Sequence, residues 1–442
     1  MLQGAPNLLF FLLKSLLTSA AKAAAGLRNL YTGDQPGQIP GLFPYPIYWW
    51  EAGAAMNAFI DYRRLTNDTQ YDSIVSNGMV WQAGADRDFM PSNQTLSLGN
   101  DDQAFWGLAA MTAAESKFPD PPSNQPQWLA LAQAVFNGQS QRWDPNSCNG
   151  GLRWQVFQFN NGYDYKNAIS NGCLFQLAAR LAVYTGNDTY AQWAIKIWDW
   201  VQAVGFIDKN WNIIDGAHTP TCAPFNRIQW TYNNGVFLAG AAFMYHYTNG
   251  ATQWGTAVES LLDSAIRLFF AKNGTVQETA CETVRTCNDD QVSFKGYLSR
   301  WMAYTTQMAP QTSEKIFSIL ASSAIAAGKS CTGGASGEAC GMDWTIGTFD
   351  GKTGVGEQLS ALETIQANLI KYAQFPATAK SGGTSKGDSK AGTIPTSGLG
   401  SSISNRPVTT KDKAGGIILT AVSGILMFDS MRSLVTPMSK AV

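Results

Sequence analysis

A repeated pattern of helix starts is the feature that most constrains the fold of this chain. Six times, polar residues open a helix rich in Ala, Leu, Phe and Trp, at intervals of roughly 50–70 residues. The six starts are Glu51-Ala52-Gly53, Asp101-Asp102-Gln103, Ser170-Asn171-Gly172, Asn233-Asn234-Gly235, Asp289-Asp290-Gln291 and Gly356-Glu357-Gln358. Because a helix that is apolar on most of its faces belongs inside a protein, we predict six inner helices.

More ordinary amphipathic segments alternate with these inner helices. They lie near residues 8–30, 70–84, 126–140, 189–204, 252–271 and 311–328. Six inner and six outer helices in alternation predict an all-α fold, an (α/α)6 barrel that covers residues 1–375. The inner helices of such a barrel run parallel, so their N-termini meet at one mouth.

The two ends of the chain differ from the repeat. Residues 8–17 resemble the apolar region of a signal peptide, but Lys14 interrupts them and no basic segment precedes them. We therefore predict a helix there rather than a clear signal peptide. Residues 376–414 are rich in Gly, Ser, Thr and Lys, which predicts a flexible linker.

The C-terminal tail, residues 415–442, begins with an apolar run that is too short to span a bilayer comfortably. Small residues, a polar spacer and a hydrophobic tail are together typical of a GPI-attachment signal. The alternative is a disordered tail with an apolar end, because charged residues follow the apolar run.

Seven cysteines are present, and none forms a C-x-x-C pair, so a zinc ribbon or a thioredoxin-type site is disfavoured. The spacing predicts three disulfides, which are Cys281–Cys287, Cys331–Cys340 and Cys148–Cys222. Cys173 lies in an apolar run and is predicted to be a buried free thiol.

Four N-x-[S/T] sequons begin at Asn67, Asn93, Asn187 and Asn273. With the predicted disulfides, they favour a secretory route. The expected location is outside the cell, at the plasma membrane through a GPI anchor.

Charge excludes several classes of function. Lys and Arg number 31 against 32 Asp and Glu, so no basic excess is available to neutralise nucleic-acid phosphates. His218 and His246 are the only histidines, which disfavours a His-rich metal site and a Ser-His-Asp triad. We expect no metal and no cofactor.

The predicted mouth combines acids, amides and aromatic rings. A neutral, aromatic, amide-rich cleft suits a sugar chain, whose C–H faces stack on rings and whose hydroxyls pair with Asn and Asp. The predicted substrate-binding residues are Trp49, Trp50, Trp106, Trp154, Asn171, Trp230, Tyr232, Asn233, Asp289 and Asp290.

Paired carboxylates are the candidate catalytic groups. Asp101-Asp102 recurs as Asp289-Asp290 about three repeat units later, so the two pairs should face each other across the barrel. Glycoside cleavage needs one ionised carboxylate and one protonated acid. For either pair alone, helix capping is the competing interpretation.

The surroundings favour the first pair. Trp106 lies one turn beyond Asp102, whereas Lys295 lies about one turn beyond Asp290 and should neutralise it. The second pair is therefore predicted to orient the substrate or to be structural. N–H bonds at the helix start should keep one Asp of the first pair ionised, while burial raises the pKa of the other.

Several ordered strings resemble glycoside hydrolase family 76, the α-1,6-mannanase family, and most closely its fungal GPI-anchored cell-wall branch. The resemblance runs from about Tyr31 to Leu369. The strings are Trp49-Trp50-Glu51-Ala52-Gly53, Gly99-Asn100-Asp101-Asp102-Gln103-Ala104-Phe105-Trp106-Gly107, Gly151-Leu152-Arg153-Trp154-Gln155, Trp230-Thr231-Tyr232-Asn233 and Gly354-Val355-Gly356-Glu357-Gln358.

This resemblance implies an (α/α)6 fold and a retaining endo-α-1,6-mannosidase, with Asp101 as nucleophile and Asp102 as acid/base. It also implies a mannan or GPI-glycan donor, transfer of GPI proteins onto a β-glucan acceptor, and membrane contact through a lipid anchor only. The alternatives are a non-catalytic glycan-binding protein on the same barrel, a different (α/α)6 enzyme such as an inverting glycosidase or a lyase, and a structural wall protein.

Overall fold

The computed structural model describes the backbone of residues 5–393 and side chains from residue 13 onward. This part of the chain contains twelve α-helices and a small three-stranded sheet. The helices are α1 Ala5–Leu30, α2 Trp49–Thr66, α3 Asp72–Gln82, α4 Asn100–Glu115, α5 Trp128–Gln141, α6 Ala168–Thr185, α7 Asp188–Val204, α8 Thr231–Tyr247, α9 Thr252–Phe269, α10 Phe294–Met308, α11 Ser313–Ser330 and α12 Val355–Ala367. The strands are β1 Tyr165–Asn167, β2 Gly216–His218 and β3 Phe225–Asn226, antiparallel in the order β1-β2-β3.

The even-numbered helices form a closed ring. Each packs on the next in chain order, and α12 returns to pack on α2. The odd-numbered helices lie outside this ring, each against at least one inner helix. The predicted (α/α)6 barrel is therefore confirmed, and α4 lies opposite α10 as the spacing of the two Asp pairs predicts.

Small residues allow the inner helices to approach closely. A Cβ on Gly53 of α2 would lie 2.8 Å from the ring of Trp106 on α4. A Cβ on Gly296 of α10 would lie 2.7 Å from Cα of Ser360 on α12. Contacts this short leave no room for a side chain, which explains why Ala and Gly recur in the inner helices.

Buried ion pairs link the inner helices away from the mouth. Arg300 of α10 donates from Nε to Glu363 of α12 at 2.9 Å and lies 3.7 Å from Asp61 of α2. Arg180 of α6 pairs with Glu115 of α4 at 2.6 Å. All five side chains are buried, so each charge depends on its partners for stabilisation.

We expect Arg300→Leu to lower the free energy of unfolding by about 3–5 kcal/mol, because Glu363 and Asp61 would remain buried without their cation. The matched control is Lys315→Leu, which removes an ion pair with Asp263 that is mostly exposed. We expect this control to cost less than about 1 kcal/mol. Chemical denaturation of both variants measures the difference, and equal losses would contradict the prediction.

The structure confirms all of the cysteine predictions. The three disulfides join Cys148 to Cys222, Cys281 to Cys287 and Cys331 to Cys340. Cys173 is free and fully buried. The four sequon residues Asn67, Asn93, Asn187 and Asn273 are all exposed.

The predicted N-terminal helix is also confirmed. Helix α1 packs on α12, and it buries Ala20, Ala23, Ala24 and Leu27. Among the helices in the described residues, none has the length and apolar character needed to cross a membrane.

Residues 377–393, which composition assigns to a flexible linker, lie against the barrel instead. Ala377 N–H donates to the carbonyl of Glu115 at 2.8 Å, and Asp388 N–H donates to Oε1 of Gln133 at 2.7 Å. This attachment uses hydrogen bonds rather than large apolar side chains, so composition does not reveal it. The remainder of the predicted linker and the tail at 415–442 lie outside the described residues.

Candidate active site

Six loops lead into the inner helices and surround the mouth of the barrel. The loop before α6 reaches the start of α4, where Asn100 N–H donates to the carbonyl of Trp154 at 2.7 Å. Val156 N–H donates to the carbonyl of Leu98 at 3.0 Å. These bonds hold the Trp154 backbone beside the first catalytic candidate pair.

Asp101 and Asp102 lie in the first turn of α4. Oδ2 of Asp102 accepts the N–H of Gly99 at 2.7 Å, which is the reciprocal half of a capping box. Oδ1 of Asp101 accepts the N–H of Asp102 at 3.2 Å. Each carboxylate therefore uses one oxygen to satisfy the helix start.

The two carboxylates are close to each other across Gly99. A Cβ on Gly99 would lie 2.3 Å from Oδ1 of Asp101 and 3.1 Å from Oδ2 of Asp102. Those two oxygens can therefore be no more than about 5.4 Å apart, the sum of the two distances. Both of these oxygens also accept N–H groups of the helix start, so the bound shows that the two carboxyls are close neighbours.

Burial dominates the electrostatics of this pair. It raises the pKa of Asp101 well above its usual value, and the charge of Asp102 raises it further. Burial also raises the pKa of Asp102, to about 7, although the Gly99 N–H opposes this shift. The nucleophile role that the resemblance implies for Asp101 requires its ionised form, and burial opposes that form more strongly at Asp101, because α4 buries Asp101 more deeply than Asp102. Because the two carboxyls interact, they gain and lose protons as a pair and not as independent groups.

The second acid pair faces the first but is built differently. Asp290 accepts a hydrogen bond from Nε1 of Trp50 at 2.9 Å, and its charge raises the pKa of Asp102. Helix α10 begins only at Phe294, so this pair precedes the helix instead of opening it. Asn288 and Gln291 cap each other there. The string Asn-Asp-Asp-Gln therefore recurs in the sequence, but its two copies have different backbone structures.

Lys295 does not neutralise Asp290, contrary to the sequence prediction. Its buried ammonium pairs with Glu282 at 2.6 Å and donates to the carbonyl of Met342. The helix start after residue 293 turns Lys295 toward those partners. Asp289 stays exposed and, with Glu357 and Lys352, lines a cavity of about 280 Å³.

Four predicted aromatic residues remain partly exposed near the acids. Trp154 is 36 % exposed, and its Nε1 lies 3.3 Å from the Cβ position of Gly99. The ring of Tyr232 stacks on Phe294 with centroids 3.8 Å apart, and Trp230 packs edge-on against the same ring. Together with Trp50, these rings can stack on sugar faces.

Four other predicted binding residues are buried, and a binding role for them stays a prediction. Trp106 donates from Nε1 to the carbonyl of Trp49 at 3.1 Å, and the two rings stack inside the ring of helices. The Asn171 side chain accepts the N–H of Leu152 and donates to the carbonyl of the same residue. Asn233 is buried beside Asp215. The contacts of these four side chains give them a packing role at the mouth.

The structure places two further acids at the mouth that are not among the predicted site residues. Asp215 accepts the hydroxyl of Tyr165 at 2.7 Å and raises the pKa of Tyr232, so it lies beside the aromatic cluster. No repeated string marks Asp215. Glu51 is fully buried, and Asp290 and Glu357 add to the effect of burial in raising its pKa. In the sequence, the only indication of a role for Glu51 is its position at a helix start.

An (α/α)6 barrel whose mouth joins a coupled pair of carboxyls to exposed aromatic rings is the architecture of a glycoside hydrolase. Residues 15–380 match the profile of glycosyl hydrolase family 76. The chain belongs to this family, as the sequence strings predict.

Named relatives agree with this membership. The mannan endo-1,6-alpha-mannosidase DCW1 of Saccharomyces cerevisiae is 47 % identical over 416 residues, which cover 93 % of this chain and 91 % of the relative. The crystal structure of Dfg5 from Chaetomium thermophilum, in complex with glucosamine, is 47 % identical with a TM-score of 0.83, covering 86 % of this chain and 96 % of that one. An α-1,6-mannanase of Salegentibacter sp. HEL1_6, bound to α-1,6-mannotriose as an inactive variant, shares the fold at 17 % identity and a TM-score of 0.65, covering 80 % of this chain and 99 % of that one.

Gly99→Ala is expected to reduce kcat on an α-mannoside about 100-fold, because the new methyl group would displace both carboxylates. The backbone of Gly99 has a φ of −88°, which alanine adopts readily, so the fold should persist. The control is Gly328→Ala in α11, where a Cβ would meet nothing within 4 Å. Steady-state kinetics of both variants, with melting curves, test the effect. A fully active Gly99→Ala would contradict it.

Proposed function

We propose that this chain cleaves internal α-1,6-mannosidic bonds with retention of configuration, with Asp101 as nucleophile and Asp102 as acid/base. The buried pair of neighbouring carboxyls at the mouth carries this proposal, and the 47 % identity to the DCW1 protein supports it. In the first step Asp101 forms a bond to the anomeric carbon while Asp102 protonates the departing glycosidic oxygen. In the second step Asp102 takes a proton from the acceptor hydroxyl, which attacks the anomeric carbon and releases Asp101.

The substrate assignment is supported by relatives and by the chemistry of the cleft. The DCW1 protein named above is described as acting on mannan and is nearly as long as this chain. Trp50, Trp154, Trp230 and Tyr232 offer stacking surfaces for neutral sugars, while Asp289 and Asp290 can accept bonds from sugar hydroxyls.

The proposal extends to the acceptor and to the location. A GPI glycan is the proposed donor and a β-glucan the proposed acceptor, so that a sugar hydroxyl competes with water in the second step. Three disulfides and four exposed sequons are features of proteins that mature in an oxidising secretory compartment. The composition of residues 415–442 supports attachment to the cell surface through a GPI anchor.

The test is incubation with α-1,6-linked manno-oligosaccharides, with and without a β-1,3-glucan oligosaccharide. Early products should have the α configuration by proton NMR, and mass spectrometry should reveal a mannosyl–glucan product when the acceptor is present. Asp101→Asn is the inactive control. Products that first appear in the β configuration would refute the mechanism, and binding without cleavage would favour a non-catalytic glycan-binding protein.

A further inference from the structure

Two buried amide side chains flank the pair of candidate catalytic acids. Asn100 precedes Asp101, and Gln103 follows Asp102, within the first turn of α4. Positions 100 and 103 are three residues apart, so their side chains lie on one face of the helix, and both are buried. The contacts that hold these two amides therefore also fix the directions in which the two carboxyls leave the helix.

The end of α5 holds both amides. Nε of Arg142, the residue that follows α5, donates to Oδ1 of Asn100 at 2.8 Å, and its Nη2 donates to Oε1 of Gln103. Gln139, in the last turn of α5, donates from Nε2 to the carbonyl of Asn100 at 2.6 Å. Because a guanidinium presents its N–H groups in a rigid plane, one side chain spans both ends of the acid pair. We call this contact of Arg142 with the two amides the Arg142 fork.

The same amides also tie the first turn of α4 to two mouth loops. Nδ2 of Asn100 donates to the carbonyl of Arg153 at 2.9 Å, and Nε2 of Gln103 donates to the carbonyl of Asp88 at 2.8 Å. Each amide thus accepts from the fork with its oxygen and donates to a loop with its nitrogen. The first turn is held from both sides, and the fork is the element that joins its two ends.

Neutralisation of an acid does not explain Arg142. Among the ion pairs of the described residues, none includes it. Burial lowers the pKa of Arg142 to about 10, although the charge of Asp88 opposes this shift, so the guanidinium stays charged at neutral pH. Its hydrogen-bonded oxygens belong to neutral amides, whereas Arg180 pairs with the carboxylate of Glu115. The feature to explain is therefore the shape of the fork.

The second copy of the string Asn-Asp-Asp-Gln lacks such a fork. There the N–H of Gln291 donates to Oδ1 of Asn288 at 2.9 Å, and the N–H of Asn288 donates to Oε1 of Gln291 at 3.1 Å. In the described part of the chain, no arginine donates to either amide. The acids of this copy precede α10, which begins at Phe294. The same four residues open a long helix only in the copy whose amides an arginine spans.

We propose that Arg142 is a positioning residue, which holds the first turn of α4 so that Asp101 and Asp102 both face the cleft. This role rests on the proposed function, because it assumes that these two acids perform the cleavage. The competing interpretation is that Arg142 only stabilises the fold. Loss of positioning should change kcat and the titration of the acid pair, whereas loss of a stabilising contact should change the melting temperature alone.

Arg142→Lys tests the fork without removing the charge. A lysine ammonium cannot reproduce the two fixed N–H directions of a guanidinium. The matched control is Arg180→Lys, which makes the same change at the opposite end of α4. There Arg180 donates from Nη2 to Thr112 at 2.8 Å and to Glu115 at 2.6 Å. Both variants are assayed well below their melting temperatures, so that only folded protein is compared.

We expect Arg142→Lys to lower kcat on an α-1,6-linked manno-oligosaccharide at least about tenfold, with KM within about twofold of the parent value. Displaced carboxyls impair bond cleavage, whereas the aromatic rings that bind sugar are unchanged. Arg180→Lys should lower the melting temperature and leave kcat within about twofold. An unchanged kcat for Arg142→Lys would overturn the proposal, and so would equal kcat losses in the two variants.

A double-mutant cycle tests the route of the effect. Arg142→Met and Gln103→Met remove the same contact from its two sides, so the double variant should lose about as much kcat as the more damaging single variant. Losses that multiply would show that the two side chains act separately, which would overturn the fork.

A titration distinguishes failure of this proposal from failure of the proposed function. Carbon-13 NMR can follow the Asp carboxyl carbons, with Asp101→Asn and Asp102→Asn assigning the two signals. Because burial raises the pKa of Asp102 to about 7, a loosened first turn that admits water should make it titrate at lower pH in Arg142→Lys. The other titratable groups that face the pair are the same in every variant, and they are Asp290, Tyr232 and Cys173.

The titration has a clear result whether or not the chain cleaves mannosides. An acid pair that titrates identically in the parent and in Arg142→Lys would overturn the proposal. An altered titration in Arg142→Lys but not in Arg180→Lys would confirm that the fork holds the pair. If the parent also cleaved no mannoside, that same result would refute the proposed function and not the fork.

Discussion

Asp101→Asn is expected to fold normally, to bind oligosaccharide and to lose turnover by about 10⁴-fold or more. The carboxylate must form a bond to the anomeric carbon, and a neutral amide is too weak a nucleophile to do so. The helix start should survive, because the amide oxygen of Asn can accept the N–H of Asp102 as Oδ1 of Asp101 does. Removal of a buried carboxyl whose pKa is strongly raised should leave stability unchanged or improved.

The measurement is kcat on the natural linkage and on an activated aryl mannoside, together with a binding isotherm and a melting curve. Asp289→Asn is the matched control, since it makes the same substitution at an exposed acid of the same mouth. We expect that control to change KM more than kcat. Near-normal turnover by Asp101→Asn on either substrate would contradict the nucleophile assignment and would leave helix capping as the role of Asp101.

Most of the fold can be predicted from the sequence, because it depends on local signals. The alternation of apolar and amphipathic segments defines the twelve helices, because each helix buries a face within its own repeat. The Cys281–Cys287 and Cys331–Cys340 loops are short, so their pairing is nearly dictated by distance along the chain. The attachment of residues 377–393 is not readable, since it consists of hydrogen bonds to elements more than 200 residues earlier.

The aromatic predictions show where sequence position stops being informative. Trp49 and Trp50 are neighbours at the start of α2, and successive residues of a helix point about 100° apart. Trp50 therefore reaches Asp290 in the cleft, whereas Trp49 turns inward, donates to Gln82 and stacks on Trp106. The pattern predicts that this segment lies at the mouth, but only packing decides which ring a substrate can meet.

The pKa values depend on burial, which is likewise a tertiary property. From the sequence, N–H bonds at the helix start should keep one member of the pair ionised, while burial raises the pKa of the other. In the structure both carboxyls are removed from water, and burial outweighs the hydrogen bonds that favour the charged form. The proton that the reaction uses therefore belongs to the interacting pair, and the pKa values do not assign it to one residue. Mutagenesis must therefore assign the nucleophile and the acid/base. Asp102 provides the more decisive assay, because an added nucleophile such as azide can restore the turnover that is lost with it.

Asp102→Asn should lower turnover of the natural linkage by about 10²–10⁴-fold, because the departing oxygen loses its proton donor. An aryl mannoside with a good leaving group needs no such proton, so its glycosyl-enzyme should form and accumulate. Azide attacks without a general base, so it should rescue release and give α-mannosyl azide. The parent enzyme should lose kcat/KM as pH rises past about 7, because the pair then loses the proton that Asp102 passes to the departing oxygen. That decline should vanish for Asp102→Asn on the aryl substrate. Equal losses on both substrates, with no azide product, would show that Asp102 is not the acid/base.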